Sequence, residues 1–453
     1  METRVIRVDP EHFSEEELLP AIELLKAGQV VAFPTETVYG LGANALNGEA
    51  CAKIFEAKRR PADNPLIVHV SSFEMLDALV SEVPPLGQTL VKHFWPGPLT
   101  ILFPKKECVP DQVTAGLATV AVRMPSHPIA RKLIELGGMP LAAPSANSSG
   151  RPSPTSASHV LADLHGRIPC IIDGGDAAVG VESTVVDVSN PNEPMILRPG
   201  GISREQLLPF VPELQVYGSA WGSKKKGENG VEDGAQEEER RKRKKEMEER
   251  PPTPGLKYRH YSPNAKVVLL EEKEGQEKEA AATSSSTTTT TAPKEVQQIE
   301  AEEQVKEKEK VMEEENGTME DALIRRIREA LSQSLRVGVI HTQRHIALPS
   351  FEEQTTSSTT TKQGQLIIYP LGEQCQSNQT AATNRTRRKY TEEEERNFSA
   401  EVARGLFKAL RRLDEESVDV IMVCGIAETH SGLAVMNRLR KAASEIVHCR
   451  PFL

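Results

Sequence analysis

At 453 residues the chain has room for two or three domains with sizeable cores. Hydrophobic residues at 38% and aromatics at 4% are low for a chain folded throughout, so part of it is expected to lie outside any core. A net charge of −10 argues against a general nucleic-acid-binding surface, and no apolar run approaches the ~20 residues of a membrane span.

The N-terminal METRVIRVDPEHF carries early acids and no apolar centre, so it reads as neither a signal nor a transit peptide. Cys51, Cys108, Cys170, Cys375, Cys424 and Cys449 are scattered without a CxxC pair, as in a reducing compartment, and a cytoplasmic location is expected. Ser14 and Glu17 form a capping box opening a helix with Leu18, Ala21, Ile22 and Leu25 on its apolar face, closed by Gly28. Short apolar runs at 30–33, 66–70, 99–103, 119–122, 141–143, 170–173, 184–188 and 195–198 predict strands. Helical patterns at 48–57, 84–94, 127–136 and 156–164 lie between many of them. This alternation predicts an α/β domain over 4–217, and the closely spaced later strands predict a mixed sheet.

Residues 218–252 are charged and almost free of apolar side chains, which predicts a linker. Its basic run, 240–245, has acids on both sides and reads as a solvated segment rather than a nuclear address. Within the 218–263 linker, 254–263 packs Tyr258, His260 and Tyr261 with two cations, and so predicts a docking segment. A last domain is expected over 264–453, with polar or low-complexity insertions at 271–317, 351–363 and 375–397. Strands at 266–270, 337–340, 366–369 and 418–424, with helices starting near Leu323, Phe398 and Leu433, predict a small Rossmann-like α/β unit.

The chemistry concentrates in residues 32–69. An apolar run stops at Pro34, Thr35, Glu36, Thr37 and Tyr39 follow, and the chain is expected to turn on Gly40 and Gly42. A helix then ends in Lys58, Arg59 and Arg60, and a second apolar run carries His69. Cations at a helix end are ordinary dipole partners, but three before a proline-bounded turn suit an anionic ligand. Arg123 and Arg198 end apolar strands just before Pro or a Pro-adjacent residue, where a forked guanidinium can reach over a sheet edge to phosphate or carboxylate. Small polar turns around Ser145 and Asn147, Ser153, and Ser183 and Thr184 each adjoin a strand boundary. His69 alone reads as a core histidine, since it sits in LIVHV. There is no Walker A motif, GxSxG elbow or zinc motif, and the loose G-x-G-x-x-A at 40–45 is a weak dinucleotide signal.

PTETVYGLG, KRRPADNPL with its K-x-R at Lys58 and Arg60, the S-x-N of Ser145 and Asn147, GVEST and LRPG resemble the signature of the YrdC/YwlC family of threonylcarbamoyl-AMP synthases. LRRLDEESVDVIMV and AVMNRLRKAAS resemble the C-terminal domain of its two-domain members. The resemblance implies a YrdC-like domain with a twisted mixed sheet and a large basic cavity, joined by a long linker to the smaller Rossmann-like domain. It implies that Thr37, His69, Arg123, Ala143 and Ser183 hold L-threonine, Arg123 as carboxylate clamp. It places ATP at Lys58, Arg60, Asn64, Thr119, Ser145, Asn147, Ser153 and Arg198, with Lys58 and Arg60 stabilising charge and no covalent nucleophile. Tyr258, His260 and Tyr261 would form a lid, although Leu256 stands where Met is usual and Ser262 where Ala is.

The expected reaction joins L-threonine, bicarbonate and ATP into threonylcarbamoyl-AMP and pyrophosphate, with Mg²⁺ accompanying ATP and no protein metal site. The product would feed a separate threonylcarbamoyl transferase that carries tRNA. No membrane contact and no stable nucleic-acid binding are expected of the synthase itself. The rivals are an RNA-binding module using the basic cavity, disfavoured by charge and by few aromatics among the cations, and an adenylate synthase with another acceptor.

Overall fold

The computed structural model describes residues 2–218, 247, 251–253, 260–272, 318–342, 364–371 and 390–450. Tyr258, Cys375, the 240–245 basic run and most of the expected insertions lie outside the described residues. The chain forms two compact units. The first comprises Met1–Pro263 with Arg388–Arg412 and Ala427–Ala442, and the second comprises Asn264–Arg387, Leu413–Ile426 and Ala443–Leu453.

The first unit is built on an eleven-stranded mixed sheet. Its strands in chain order are β1 (Arg4–Arg7), β2 (Val31–Phe33), β3 (Gly40–Asn44), β4 (Ile67–His69), β5 (Leu99–Pro104), β6 (Thr119–Arg123), β7 (Leu141–Ala142), β8 (Cys170–Asp173), β9 (Thr184–Asp187), β10 (Met195–Arg198) and β11 (Gln215–Val216). Across the sheet they run β1-β8-β2-β3-β7-β4-β6-β5-β9-β10-β11. The period-2 alternation of a strand decides what each face carries. Val68, Ile101, Phe103, Val120, Val122, Val186 and Ile196 point into the main core. Their neighbours Ile67, Leu102, Ala121, Val185, Met195 and Leu197 form a small apolar patch covered by Met247. By the same alternation, His69, Thr100, Arg123 and Ser183 fall on the patch side, at adjoining ends of β4, β5, β6 and β9. This places polar side chains on an apolar floor.

The expected strands and the four helical patterns appear as Gly48–Lys58, Pro85–Phe94, Pro128–Gly137 and Ala157–Leu164, the first with Asn47 capping its N-terminus. One expectation fails: Gly40 and Gly42 do not make a turn but lie in β3, antiparallel to β2. A Cβ on Gly42 would stand 2.6 Å from the Phe33 ring, so glycine marks a close cross-strand approach.

In the second unit, β12 (Lys266–Glu272), β13 (Arg336–His341), β14 (Gln365–Pro370), β15 (Val420–Cys424) and β16 (Glu445–Cys449) make an all-parallel sheet ordered β14-β13-β15-β12-β16. The Met319–Ser332 helix, capped by Thr318 and Asp321, lays Leu323, Ile327 and Ala330 on that sheet. β16 was hidden in the sequence because Glu445 and His448 interrupt its apolar pattern. The helix expected from Phe398 belongs mostly to the first unit and starts at Glu392, inside the expected polar insertion. Thr391 and Glu394 cap it reciprocally: Thr391 N–H donates to Glu394 Oε2 at 2.9 Å, and Thr391 Oγ1 accepts from Glu394 N–H at 3.2 Å.

Candidate active site

The loop between β2 and β3 is shaped by its threonines. Thr35 Oγ1 donates to the Val38 carbonyl at 2.6 Å and accepts from the Thr37 and Val38 amides at 3.2 and 3.3 Å. This local turn points the Thr37 hydroxyl at Arg123, whose Nη1 donates to it at 2.9 Å. Arg123 Nε donates to the Gly97 carbonyl at 3.3 Å, and its Nη2 pairs with Glu36 Oε1 at 2.6 Å. Three anchors therefore fix the plane of the guanidinium. Burial opposes a charge on Glu36, yet the Arg123 guanidinium beside it holds the carboxyl below its ordinary range.

His69 stands in register with Arg123 across the β4–β6 pair. Burial first, and then the Arg123 charge, push its pKa down to about 3, so the ring is neutral at physiological pH. Opposite it, Ser183 Oγ lies 2.8 Å from Thr100 Oγ1. Arg198 grips Ser183, with Nε and Nη2 donating to its carbonyl at 3.2 and 3.0 Å and Nη2 to its hydroxyl at 3.2 Å.

These groups border one cavity of about 50 Å³, whose lining includes Thr35, Thr37, Tyr39, Arg60, Ile67, His69, Arg123, Ala143, Ser145, Glu182, Ser183, Arg198, His260 and Tyr261. All five residues expected to hold threonine border it, as do Arg60, Ser145 and Arg198 of the nucleotide set. The Ala143 N–H is already given to the Ile67 carbonyl at 2.9 Å, so its backbone can offer a ligand only its own carbonyl.

Lys58, Asn64, Thr119, Asn147 and Ser153 lie outside that lining. Lys58 is buried and donates to the carbonyls of Ser145 and, at 2.6 Å, Asn147, pinning the 145–147 turn. The Asn64 carbonyl accepts from Arg60 Nη2 at 3.3 Å. Asn147 Nδ2 donates to the carbonyls of Ser148 and Arg151, both at 2.9 Å. Ser153 Oγ donates to Glu182 Oε1 at 2.5 Å. Thr119 begins β6, at the opposite end of the strand from Arg123.

His260 and Tyr261 of the expected lid border the cavity. The Tyr261 ring packs 5.3 Å from Phe407 and 5.0 Å from His260, and its backbone is left-handed at φ 67. Burial, then the charges of Arg60 and Lys58, push His260 down to about 3. Sequence reasoning gave no role to Glu36, Thr100, Glu182, Arg411 or Arg438. The two glutamates stood inside the quoted motifs PTETVYG and GVEST, so their signal was present. Arg411 and Arg438 stood in LRRLDEESVDVIMV and AVMNRLRKAAS, but nothing there marked them for burial, because a cation on an amphipathic helix normally faces water. Here Arg411 Nη2 binds Asp163 Oδ2 at 2.9 Å and Arg438 Nη2 binds Glu182 Oε2 at 2.8 Å, all four side chains being buried.

A family model described as "Telomere recombination", spanning the Sua5, YciO and YrdC proteins, matches residues 23–200. The model of the threonylcarbamoyl-AMP synthase C-terminal domain matches residues 202–444. The threonylcarbamoyl-AMP synthase of Pyrococcus abyssi is 39% identical, over 96% of this chain and 96% of its own. This chain belongs to the threonylcarbamoyl-AMP synthase family. Family members from Bacillus subtilis and Schizosaccharomyces pombe are 36% and 38% identical, over 95% and 92% of this chain and 94% and 85% of theirs. A crystal structure of Pyrococcus abyssi Sua5 complexed with L-threonine superposes with a TM-score of 0.67 at 39% identity, covering 98% of this chain and 99% of that one.

Proposed function

We propose that this chain is an L-threonylcarbamoyladenylate synthase, which joins L-threonine, bicarbonate and ATP into threonylcarbamoyl-AMP and releases pyrophosphate. The observation that carries this is the convergence of Arg123, Thr37, His69 and Ser183 with Arg60 and Arg198 around one cavity. Arg123 clamps the α-carboxylate of threonine, its plane already fixed by Gly97, Thr37 and Glu36. Neutral His69 adds a polar contact without competing for that carboxylate. The hydroxyls of Thr37 and Ser183 suit the hydroxyl and amine of the substrate, and a pocket built to bond a hydroxyl rejects analogues that lack one.

The threonine amine attacks the carbon of bicarbonate, water leaves, and a carbamate forms. A carbamate oxygen then attacks the α-phosphorus of ATP, the α–β bond breaks, and pyrophosphate departs. Arg60 and Arg198 balance the charge that builds on the phosphates, and Tyr261 and His260 keep water from the labile carbamate. Lys58 and Asn147 contribute by holding the 145–147 turn, and Ser153 by its bond to Glu182. No covalent enzyme intermediate is needed.

Among the described residues, no group of three or more His, Cys, Asp or Glu could hold a metal ion. The one acid on the lining, Glu182, is occupied by Arg438. We propose that a Mg²⁺ ion accompanying ATP enters on the triphosphate oxygens. No helix among the described residues is long and apolar enough to cross a membrane. We place the enzyme in the cytoplasm, passing its product to a threonylcarbamoyl transferase that carries tRNA. Pyrophosphate release measured with threonine and bicarbonate withheld in turn tests the assignment. Release must need both, and threonine-independent release would refute it.

A further inference from the structure

A cavity meant for polyanions should not be lined by a carboxylate, yet Glu182 borders this one beside Arg198 and Ser183. The C-terminal helix Gly432–Ala442 resolves the conflict. Its Arg438 is wholly buried, and its Nε and Nη2 donate to Glu182 Oε2 at 3.0 and 2.8 Å. Nη1 donates to the Pro199 carbonyl, next to Arg198, and the guanidinium carbon lies 5.7 Å from the centre of the Tyr261 ring. The other Glu182 oxygen accepts from Ser153 at 2.5 Å. Glu182 is thus saturated by a cation that does not border the cavity. Arg198, by contrast, donates to the carbonyl and hydroxyl of Ser183, which are neutral.

We propose that Arg438 is a positioning residue of the synthase: by sequestering Glu182 it leaves the charge of Arg198 for the substrate anion. It touches no substrate. Glu182 lies within reach of both charges, and Arg438 takes the larger share of the carboxylate. Without Arg438, the cations left near Glu182 are Arg198 and Lys441, and the carboxylate lowers the field with which Arg198 attracts phosphate. The same contacts make a helix whose Arg438 lies 256 residues from Glu182 in sequence a working support of the cavity wall. The proposal rests on the synthase reading only for the identity of the anion.

The test is calorimetric binding of α,β-methylene-ATP to the full-length chain and three variants. R438M should bind about tenfold more weakly than the unaltered chain, the loss expected when one cation is cancelled in a partly shielded site. E182Q, which leaves Arg438 without its carboxylate, is the reference against which the double variant is read. The double variant R438M/E182Q, with both charges gone, should return to within about threefold, because Arg198 is free again. A merely structural Arg438 would not give this recovery. R438M binding like the unaltered chain, or a double variant as weak as R438M, would overturn the proposal. Should R438M not fold, E182Q and the double variant decide it: with Glu182 already neutral, loss of Arg438 must leave affinity within about threefold, and a further tenfold fall refutes it. A chain that binds the analogue but needs no threonine for turnover sinks the synthase reading alone and leaves this comparison standing.

Discussion

His69 and Arg123 are register partners on the parallel strands β4 and β6, so an uncharged ring and a fixed guanidinium leave the sheet side by side. The arrangement separates two tasks. Arg123 supplies charge and a two-pronged donor, and His69 supplies polarity without charge. Arg123→Lys keeps the charge and loses the fork. It should raise the threonine KM by about tenfold while changing the ATP KM little, since a point charge cannot replace both donors to a carboxylate. Pyrophosphate release against threonine concentration measures this, and equal rises in both KM values would remove Arg123 from the amino-acid end.

Burial keeps several histidines neutral, and this fixes a pH dependence of stability. Burial drives His69 and His260 down to about 3 and His159 to about 4. An unfolded histidine titrates near 6.5, so below that pH the unfolded chain binds more protons and the fold loses stability as pH falls. At pH 5 the loss is about 2 kcal/mol each for His69 and His260. Glu182 contributes in a lower window: it is held down at about 2, against its burial, by Arg438 and then Arg198, and its share is lost only below the ordinary carboxylate range near 4.5. Melting temperature should therefore fall between pH 6.5 and 5, and less steeply in His69→Gln. An unaltered slope in that variant would show that His69 is not the buried neutral group described.

Lys58 and Arg60 were expected to act together on the nucleotide, but their surroundings divide them. Lys58 is spent on the carbonyls of the 145–147 turn, whereas Arg60 borders the cavity while its Nη2 donates to the Asn64 and Pro65 carbonyls at 3.3 and 3.2 Å. Lys58→Met leaves two buried carbonyls without their donor, at about 1–3 kcal/mol each, and should lower the melting temperature by about 5 °C or more. Arg60→Ala should raise the ATP KM by about tenfold, an effect Lys58→Met lacks, whatever its own cost in melting from the Asn64 and Pro65 carbonyls. ATP titrations on folded samples of the two variants decide it, and a raised ATP KM in Lys58→Met but not in Arg60→Ala would exchange the roles.

Much of this site could be read before the fold was known. Arg123 and Arg198 were legible because each ends an apolar run, and a strand end is where a cation can overhang a crevice. The strands were legible because burial on both faces writes an unbroken apolar run. β1, β3 and β11 were not: β1 and β11 are edge strands with exposed or half-buried side chains and no apolar run, and in β3 glycines chosen for the contact with Phe33 look like turn residues. Glu182 and Arg438 were illegible as a pair because no local pattern links residues so far apart. Lys58 and Arg60 share a sequence motif, yet one turn of backbone separates a pin for a loop from a cavity wall, and only three dimensions show which is which.

The close passage of two loops gives the sharpest steric prediction. Gly200 lies against the 182–184 backbone, where a Cβ would stand 2.3 Å from the Glu182 carbonyl oxygen and 2.4 Å from Ser183 C and Thr184 N. Backbone atoms cannot swing aside as a side chain does. Moving the Glu182–Thr184 segment would displace Ser183, Arg198 through its bonds to Ser183, and the β9 end together. Gly200→Ala should therefore abolish turnover or prevent folding, although it adds a single methyl group. Gly138→Ala is the control: its left-handed backbone strains alanine, but no atom lies within 4 Å of the added carbon. It should cost about 1 kcal/mol or somewhat more and leave both KM values unchanged. If Gly200→Ala had the melting temperature and kinetics of the unaltered chain, the two loops would not meet as described, and the placement of Ser183 against Arg198 would fall with them.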